Sequence, residues 1–300
     1  MRSKKKGALH KFSFSMLICL GFFFLLEGFL EIIDVPLLSQ SLVYQDTVTT
    51  WRLQSNLKNK RIRTPHDSHD FVVSTNQDGL RTSLNPKKEH IDIAFLGDSN
   101  MFGWGLDDAD TFSERLQDIF PQYNFLNGGQ PGHSTVQSYE LFMETMPKYR
   151  PRWTILLLSM HDHNQAPLSD LERKGVVHGI TPHIRIWLQH HLRVYGLIRQ
   201  KVIPERKNPA DTQGETYRVR DDERELLLAK MIKKADNWNG KIALALFPFH
   251  EDLIGESFHR PCVSWSKKMT LKYQIPILNL SSCCRDPDKD LTFSFDRGHL

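Results

Sequence analysis

One short stretch constrains this chain more than any other. The apolar run Ile91 to Leu96 stops abruptly at Gly97-Asp98-Ser99, with glycines again at 103 and 105 and a helical pattern after them. A buried strand that ends in a tight turn can present a small hydroxyl side chain at the carboxyl edge of a parallel sheet. Open α/β folds bind their ligands at that edge. Ser99 is therefore a candidate nucleophile. A serine hydroxyl attacks poorly at neutral pH, so the rest of the chain has to supply a base and an oxyanion site.

The pattern downstream agrees with such a sheet. Tyr123 to Leu126, Trp153 to Leu158, Lys241 to Pro248 and Ile275 to Leu280 read as short apolar strands. Thr111 to Phe120, Ser134 to about Lys148, Asp221 to Asn237 and Ser264 to Tyr273 read as helices, and Thr111-Phe-Ser-Glu114 matches a capping box. This alternation predicts a mostly parallel sheet with helices on both faces. Residues 165–240 are mostly helical and polar in pattern. Within them, His183 to Ile203 is amphipathic and carries Arg185, Arg193, Arg199 and Lys201, a pattern open to a helix lying on a membrane surface or to a solvated helix face, of which we expect the solvated face.

The chain begins with Arg2, Lys4, Lys5, Lys6 and Lys11, and Phe12 to Leu30 is then apolar apart from two serines, two glycines and Glu27. That length suits a helix spanning hydrocarbon. No small-x-small cleavage site follows, and the next basic residue is Arg52, so the charge bias keeps the N-terminus in the cytoplasm. The expected organisation is a basic tail (1–11), an uncleaved transmembrane signal-anchor (12–33), a tether and lead-in segment (34–88) and an extracytoplasmic domain (89–300). Within the tether, Asn76-Gln-Asp-Gly79 signals a turn.

Net charge is a modest +4 and part of it sits in the first eleven residues, so no nucleic-acid surface is indicated. The cysteines are Cys19, Cys262, Cys283 and Cys284, with no C-x-x-C pair and hence no zinc or thioredoxin-like signature. In an oxidising compartment Cys283 and Cys284 are candidate disulfide partners for Cys262, with one cysteine left over and the connectivity open. His161, Asp162 and His163 are metal-capable residues, but alternate positions at a strand end point to opposite faces and no further ligand stands out.

Asp296 and His299 are three residues apart, so one turn brings both to one side. The aspartate would orient the imidazole that deprotonates Ser99. Oxyanion donors would be the backbone N–H groups of Ser99 and Gly132 and a side chain from 159–164. The motif is not the G-x-S-x-G elbow, because position 101 is methionine.

Together these blocks resemble an SGNH (GDSL-type) serine hydrolase over residues 89–300. Gly97-Asp98-Ser99 resembles the first block, Asn127 to Gly132 the second and Asp296-Arg-Gly-His299 the last. Asn76-Gln-Asp-Gly-Leu-Arg81 and Phe102-Gly-Trp-Gly-Leu106 are similar to membrane-anchored bacterial members. The resemblance implies a three-layer α/β/α sandwich with a five-stranded, flavodoxin-like sheet. It also implies an acyl-Ser99 mechanism with His299 as base and Asp296 as its orienter. The Gly132 N–H and a third-block side chain would hold the oxyanion. In that third block, Ser159-Met-His-Asp162 puts His161 where the family has asparagine and keeps Asp162, which with Asp98 is a supporting residue. Neutral imidazole can donate one N–H, and Asn164 is the alternative donor. Family members ordinarily continue past the histidine with a helix over the sheet, so the expectation is either that the sequence is cut short after Leu300 or that this layer is thin. The implied substrate is a small-molecule, lipid or envelope-glycan ester, with no cofactor and no metal. An O-acyltransferase, or a catalytically impaired binding protein on the same fold, are the rival expectations.

Overall fold

The computed structural model describes residues 2–33, 35, 42–46, 49–63, 70–82, 90–177, 184, 187–188, 191–202, 214, 216–247 and 260–280. Two units divide the chain: Met1–Tyr44 with Gly179–Arg206, and Gln45–His178 with Lys207–Leu300. The described helices are α1 (Arg2–Ile32), α2 (Ser99–Phe102), α3 (Phe112–Ile119), α4 (Thr135–Tyr149), α5 (Asp170–Val177), α6 (Arg193–Val202), α7 (Asp221–Ala235) and α8 (Arg260–Tyr273). The described strands are β1 (Val43–Asp46), β2 (Thr50–Leu53), β3 (Lys60–Arg63), β4 (Asp70–Val73), β5 (Ile93–Gly97), β6 (Phe125–Gly129), β7 (Trp153–Leu157), β8 (Gln165–Ala166), β9 (Thr216–Tyr217), β10 (Lys241–Leu246) and β11 (Ile277–Asn279).

In the first unit, α1 contains the stretch Phe14–Ile32, which is apolar and long enough to cross a membrane. The second unit is built on a five-stranded sheet in the order β11-β10-β7-β5-β6. Every neighbouring pair in it is parallel. The first strand of this sheet in sequence, β5, thus lies between the second and third, which is the flavodoxin-like order with its reversal between β5 and β7.

The inner strands β5, β7 and β10 are largely apolar and buried because both faces are covered, whereas the edge strand β11 is mostly exposed. On one face Ala94, Leu96, Leu126, Leu156, Ile242 and Leu244 pack with Leu141, Phe142 and Met146 of α4, with Leu228 and Met231 of α7, and with Trp265 and Met269 of α8. On the other, Phe95 and Leu157 pack with Met101 of α2 and with Phe112 and Leu116 of α3. This second layer is formed, among the described residues, by α2 and α3. Among the described residues, Ile155, Ala245, Phe247 and Leu278 line an apolar cavity of about 470 Å³.

Two local expectations change. Strand β6 continues to Gly129 rather than ending at Leu126. The glycines allow this, because a Cβ on Gly129 would lie 2.2 Å from the Phe102 backbone nitrogen, so only glycine lets α2 pack this closely. The capping box at Thr111 does not form: its hydroxyl donates back to the carbonyl of Asp108 (2.9 Å), the first residue of a 3₁₀ turn over Asp108–Asp110. Instead Gln137 accepts the Ser134 N–H (2.7 Å) at the start of α4. The turn at 76–79 does form, with the Asn76 side chain accepting from the N–H groups of Asp78 and Leu80.

Candidate active site at the strand reversal

Ser99 is the first residue of α2, two positions past the end of β5 and beside the β5/β7 reversal, and it is buried. Asp98, fully buried, fixes this turn. Its Oδ1 accepts from Asn100 N (3.0 Å) and its Oδ2 from the Ser159 hydroxyl (2.8 Å). Gly103, at φ +79°, ends the single turn of helix.

The Ser159 hydroxyl is a node for three sheet edges. It lies 2.8 Å from Asp98 after β5 and 2.8 Å from the His133 carbonyl after β6, while accepting from the N–H of His161 after β7 (3.1 Å). One hydroxyl has one proton, so the two acceptors share it. Asp98, His133 and His161 are in this way held around one atom.

The glycine-rich loop after β6 is held from several sides. Trp51 Nε1 donates to Pro131 O (2.9 Å), Leu53 N donates to Gln130 Oε1 (2.8 Å), and Gln130 Nε2 donates to Gly79 O (3.0 Å). Gly132 sits at φ +77°, a backbone conformation that favours glycine. In a trans peptide the N–H points opposite the carbonyl. Trp51, by holding Pro131 O, therefore turns the Gly132 N–H away from the indole. The guanidinium of Arg218 holds the next carbonyl, Gly132 O, at 3.2 Å, and pairs with Asp170 at 2.8 Å.

The loop after α2 has its own clamp. All five N–H donors of buried Arg81 are used: Nε on Asp108 (3.0 Å), the others on the carbonyls of Phe102, Gly103, Val72 and Leu106. Burial pulls its pKa below the usual guanidinium value, opposed by the charge of Asp108. The two stretches quoted above, 76–81 and 102–106, thus meet at one side chain. Trp104 packs edge-on against Phe71 in this loop (5.3 Å).

The run 161–163 splits into different surroundings. Asn164 Nδ2 lies 3.4 Å from His161 Nδ1; if it donates there, a neutral ring carries its proton on Nε2. Asp162 accepts from Thr135 N (2.8 Å), Thr135 Oγ1 (2.6 Å) and Arg224 Nε (3.0 Å), and both members of the ion pair are completely buried. His163 lies against Cys262 Sγ (3.6 Å) and edge-on to Tyr217. Asp296, His299, Cys283 and Cys284 lie outside the described residues. Among the described residues no cluster of metal-ligating side chains occurs.

Burial, then the charge of Arg224, lower the His163 pKa below 6.5, opposed by Asp162 and Asp221. The folded chain therefore binds this proton less well than the unfolded one. The associated stability is complete above about pH 6.5 and is lost as pH falls through that value. The thermal midpoint is expected to drop on acidification from about pH 7.5 to about pH 5.5. His163→Phe should flatten that part of the profile, and an unaltered slope would show that the imidazole is not responsible.

No protein-family profile matches the chain, and no curated protein matches it. Solved structures do. The chain is similar to the psychrotrophic esterase EstA from a Pseudoalteromonas species at 14% identity and a TM-score of 0.43, over 69% of this chain and 86% of that one. It is similar to a catalytic mutant of Axe2, an acetylxylan esterase from Geobacillus stearothermophilus (15%, TM-score 0.41, 70% and 86%). A third is AlinE4, an SGNH-hydrolase family esterase (15%, TM-score 0.40, 70% and 89%). The likeness is one of fold. At such scores it carries no argument about chemistry, which rests on this chain's own side chains.

Sequence reasoning singled out Ser99, Asp98, Gly132, His161, Asp162 and Asn164, and these occupy the carboxyl edges of β5, β6 and β7. It missed Trp51, Arg81, Arg218 and Arg224 as holders of those edges. Arg218 lies 86 positions from the carbonyl it binds and Arg224 62 from its aspartate. No local spacing signals contacts of that range.

Proposed function

We propose that this chain is a membrane-anchored SGNH-type serine esterase whose catalytic part lies outside the cytoplasm. The observation that carries the reading is the setting of Ser99: the first residue after the turn at the strand reversal, with Asp98 and Ser159 tying its turn to the edges of β6 and β7.

In the proposed mechanism His299 takes the Ser99 proton as Oγ attacks the ester carbonyl, and Asp296 orients His299. The N–H groups of Ser99 and Gly132 and the Nε2–H of His161 stabilise the oxyanion, with Asn164 steadying the His161 ring. Collapse returns the proton to the leaving alcohol and leaves acyl-Ser99. Water, deprotonated by His299, then releases the acid and restores the serine. The substrate class is a small-molecule, lipid or glycan ester of the cell envelope, reached from the membrane surface on which α1 anchors the chain.

A fluorophosphonate probe tests the nucleophile. Wild type is expected to take the probe at Ser99, mapped by mass spectrometry of the labelled peptide; equal labelling of Ser99→Ala would refute the reading. His161→Asn tests the third donor, since an asparagine amide supplies the same hydrogen bond. Ester turnover should be retained or raised. Collapse to the Ser99→Ala level would mean that His161 has a role other than oxyanion donor.

A further inference from the structure

The amphipathic segment around α6 was expected to be a solvated helix face. Its contacts within the first unit point elsewhere. The Glu27 carboxylate of α1 accepts hydrogen bonds from the first two N–H groups of α6, Arg193 N (2.6 Å) and Val194 N (3.1 Å). The Arg193 guanidinium reaches past the end of α1 to the Val35 carbonyl (3.0 Å) and approaches Glu27 (3.8 Å) and Glu31 (3.7 Å).

Depth follows from these contacts. The apolar stretch Phe14–Ile32 has 19 residues. At about 1.5 Å per residue it is roughly 28 Å long, close to the thickness of a hydrocarbon core. Glu27 lies five residues before its end, so its Cα sits about 7.5 Å inside that end. A carboxylate there needs donors that are not water, and the positive end of a helix supplies them. For Glu27 to hold α6, the start of α6 has to lie at the same depth.

The side chains around it suit that level. Ile184, Trp187 and Ile198 are 54%, 54% and 56% exposed, and His191 stacks on Trp187 at 4.7 Å. On α1, Phe22, Phe24 and Phe29 are uncovered as well. Tryptophan favours the boundary between headgroups and acyl chains, and amphipathic helices lie in it.

We infer that α6, together with Ile184, Trp187 and His191 before it, lies in the membrane interface, clamped by Glu27 to the outer end of the anchor, with the bilayer boundary covering Ile184, Trp187 and Ile198. This rests on the proposed anchoring through α1. The lipid contact would hold the inserted segment at the membrane on the anchor's far side.

The test uses the full chain in phosphatidylcholine–phosphatidylglycerol nanodiscs, with the Trp187 signal taken as wild type minus Trp187→Phe. That signal is expected to be lost to lipids spin-labelled just below the headgroup and to be insensitive to aqueous iodide. Quenching by iodide and not by lipid would overturn the inference. Glu27→Ala should shift the signal from lipid towards iodide quenching, and unchanged lipid quenching would overturn the clamp. Alkaline carbonate extraction of membranes is the separate check on α1. Release of the chain would remove the anchor and the inference with it, whereas retention with a water-exposed Trp187 would remove the inference alone.

Discussion

Replacing Ser99 with alanine is expected to lower ester turnover by a factor on the order of 10⁴ to 10⁶, the range found when a triad nucleophile is removed. The fold should survive. The turn is held by Asp98 through the backbone N–H of Asn100 and through Ser159, and alanine leaves both contacts in place. Unfolding free energy should change by no more than about 1 kcal/mol. Steady-state hydrolysis of a p-nitrophenyl ester, with a thermal melt of the same preparation, separates the two effects. A loss of turnover with an intact melt is the expected pair. Turnover within tenfold of wild type would mean that another group performs the attack.

The second large effect concerns folding rather than chemistry. Asp162→Ala is expected to cost about 3–5 kcal/mol, because it leaves a buried guanidinium without its partner. Arg224 is wholly buried, and its remaining carboxylate contact is with the largely exposed Asp221. The same substitution removes the acceptor for Thr135 N and Thr135 Oγ1 at the start of α4. Asp162→Asn keeps an acceptor of the same shape and loses only the charge, so it should cost less. Urea titration of the detergent-solubilised chain, followed by tryptophan fluorescence, reads both. Equal midpoints for wild type and Asp162→Ala would show that the pair contributes little.

Much of the scaffold was legible because short-range signals encode it. The run Ile91 to Leu96 predicted a doubly covered strand, and β5 is one. Gly97 marked the end of β5, and the helical pattern from Ser134 marked the start of α4. The capping-box reading of Thr111 failed because a hydroxyl has more than one acceptor within reach, and the preceding 3₁₀ turn offered a nearer one. The tether's part in the site was illegible for a different reason. Trp51 and Arg81 act on backbone carbonyls of the loops after β6 and α2, Leu53 acts through its own backbone N–H, and a backbone group leaves no mark in a sequence. The amphipathic segment at 183–203 had a readable pattern, but a pattern does not say what lies against it. Only the Glu27 contact did.

By itself the sequence determined the alternation of strands and helices, the apolar stretch at the N-terminus and the serine at a strand's carboxyl end, since each follows from residue type and local period. The tertiary structure decided what those features meet. It set the strand order that puts Ser99 beside the reversal, made the Ser159 hydroxyl the node of three edges, and buried Arg224 against Asp162. Such contacts form between residues far apart in the chain, where burial and hydrogen-bond geometry select partners and sequence spacing carries no information.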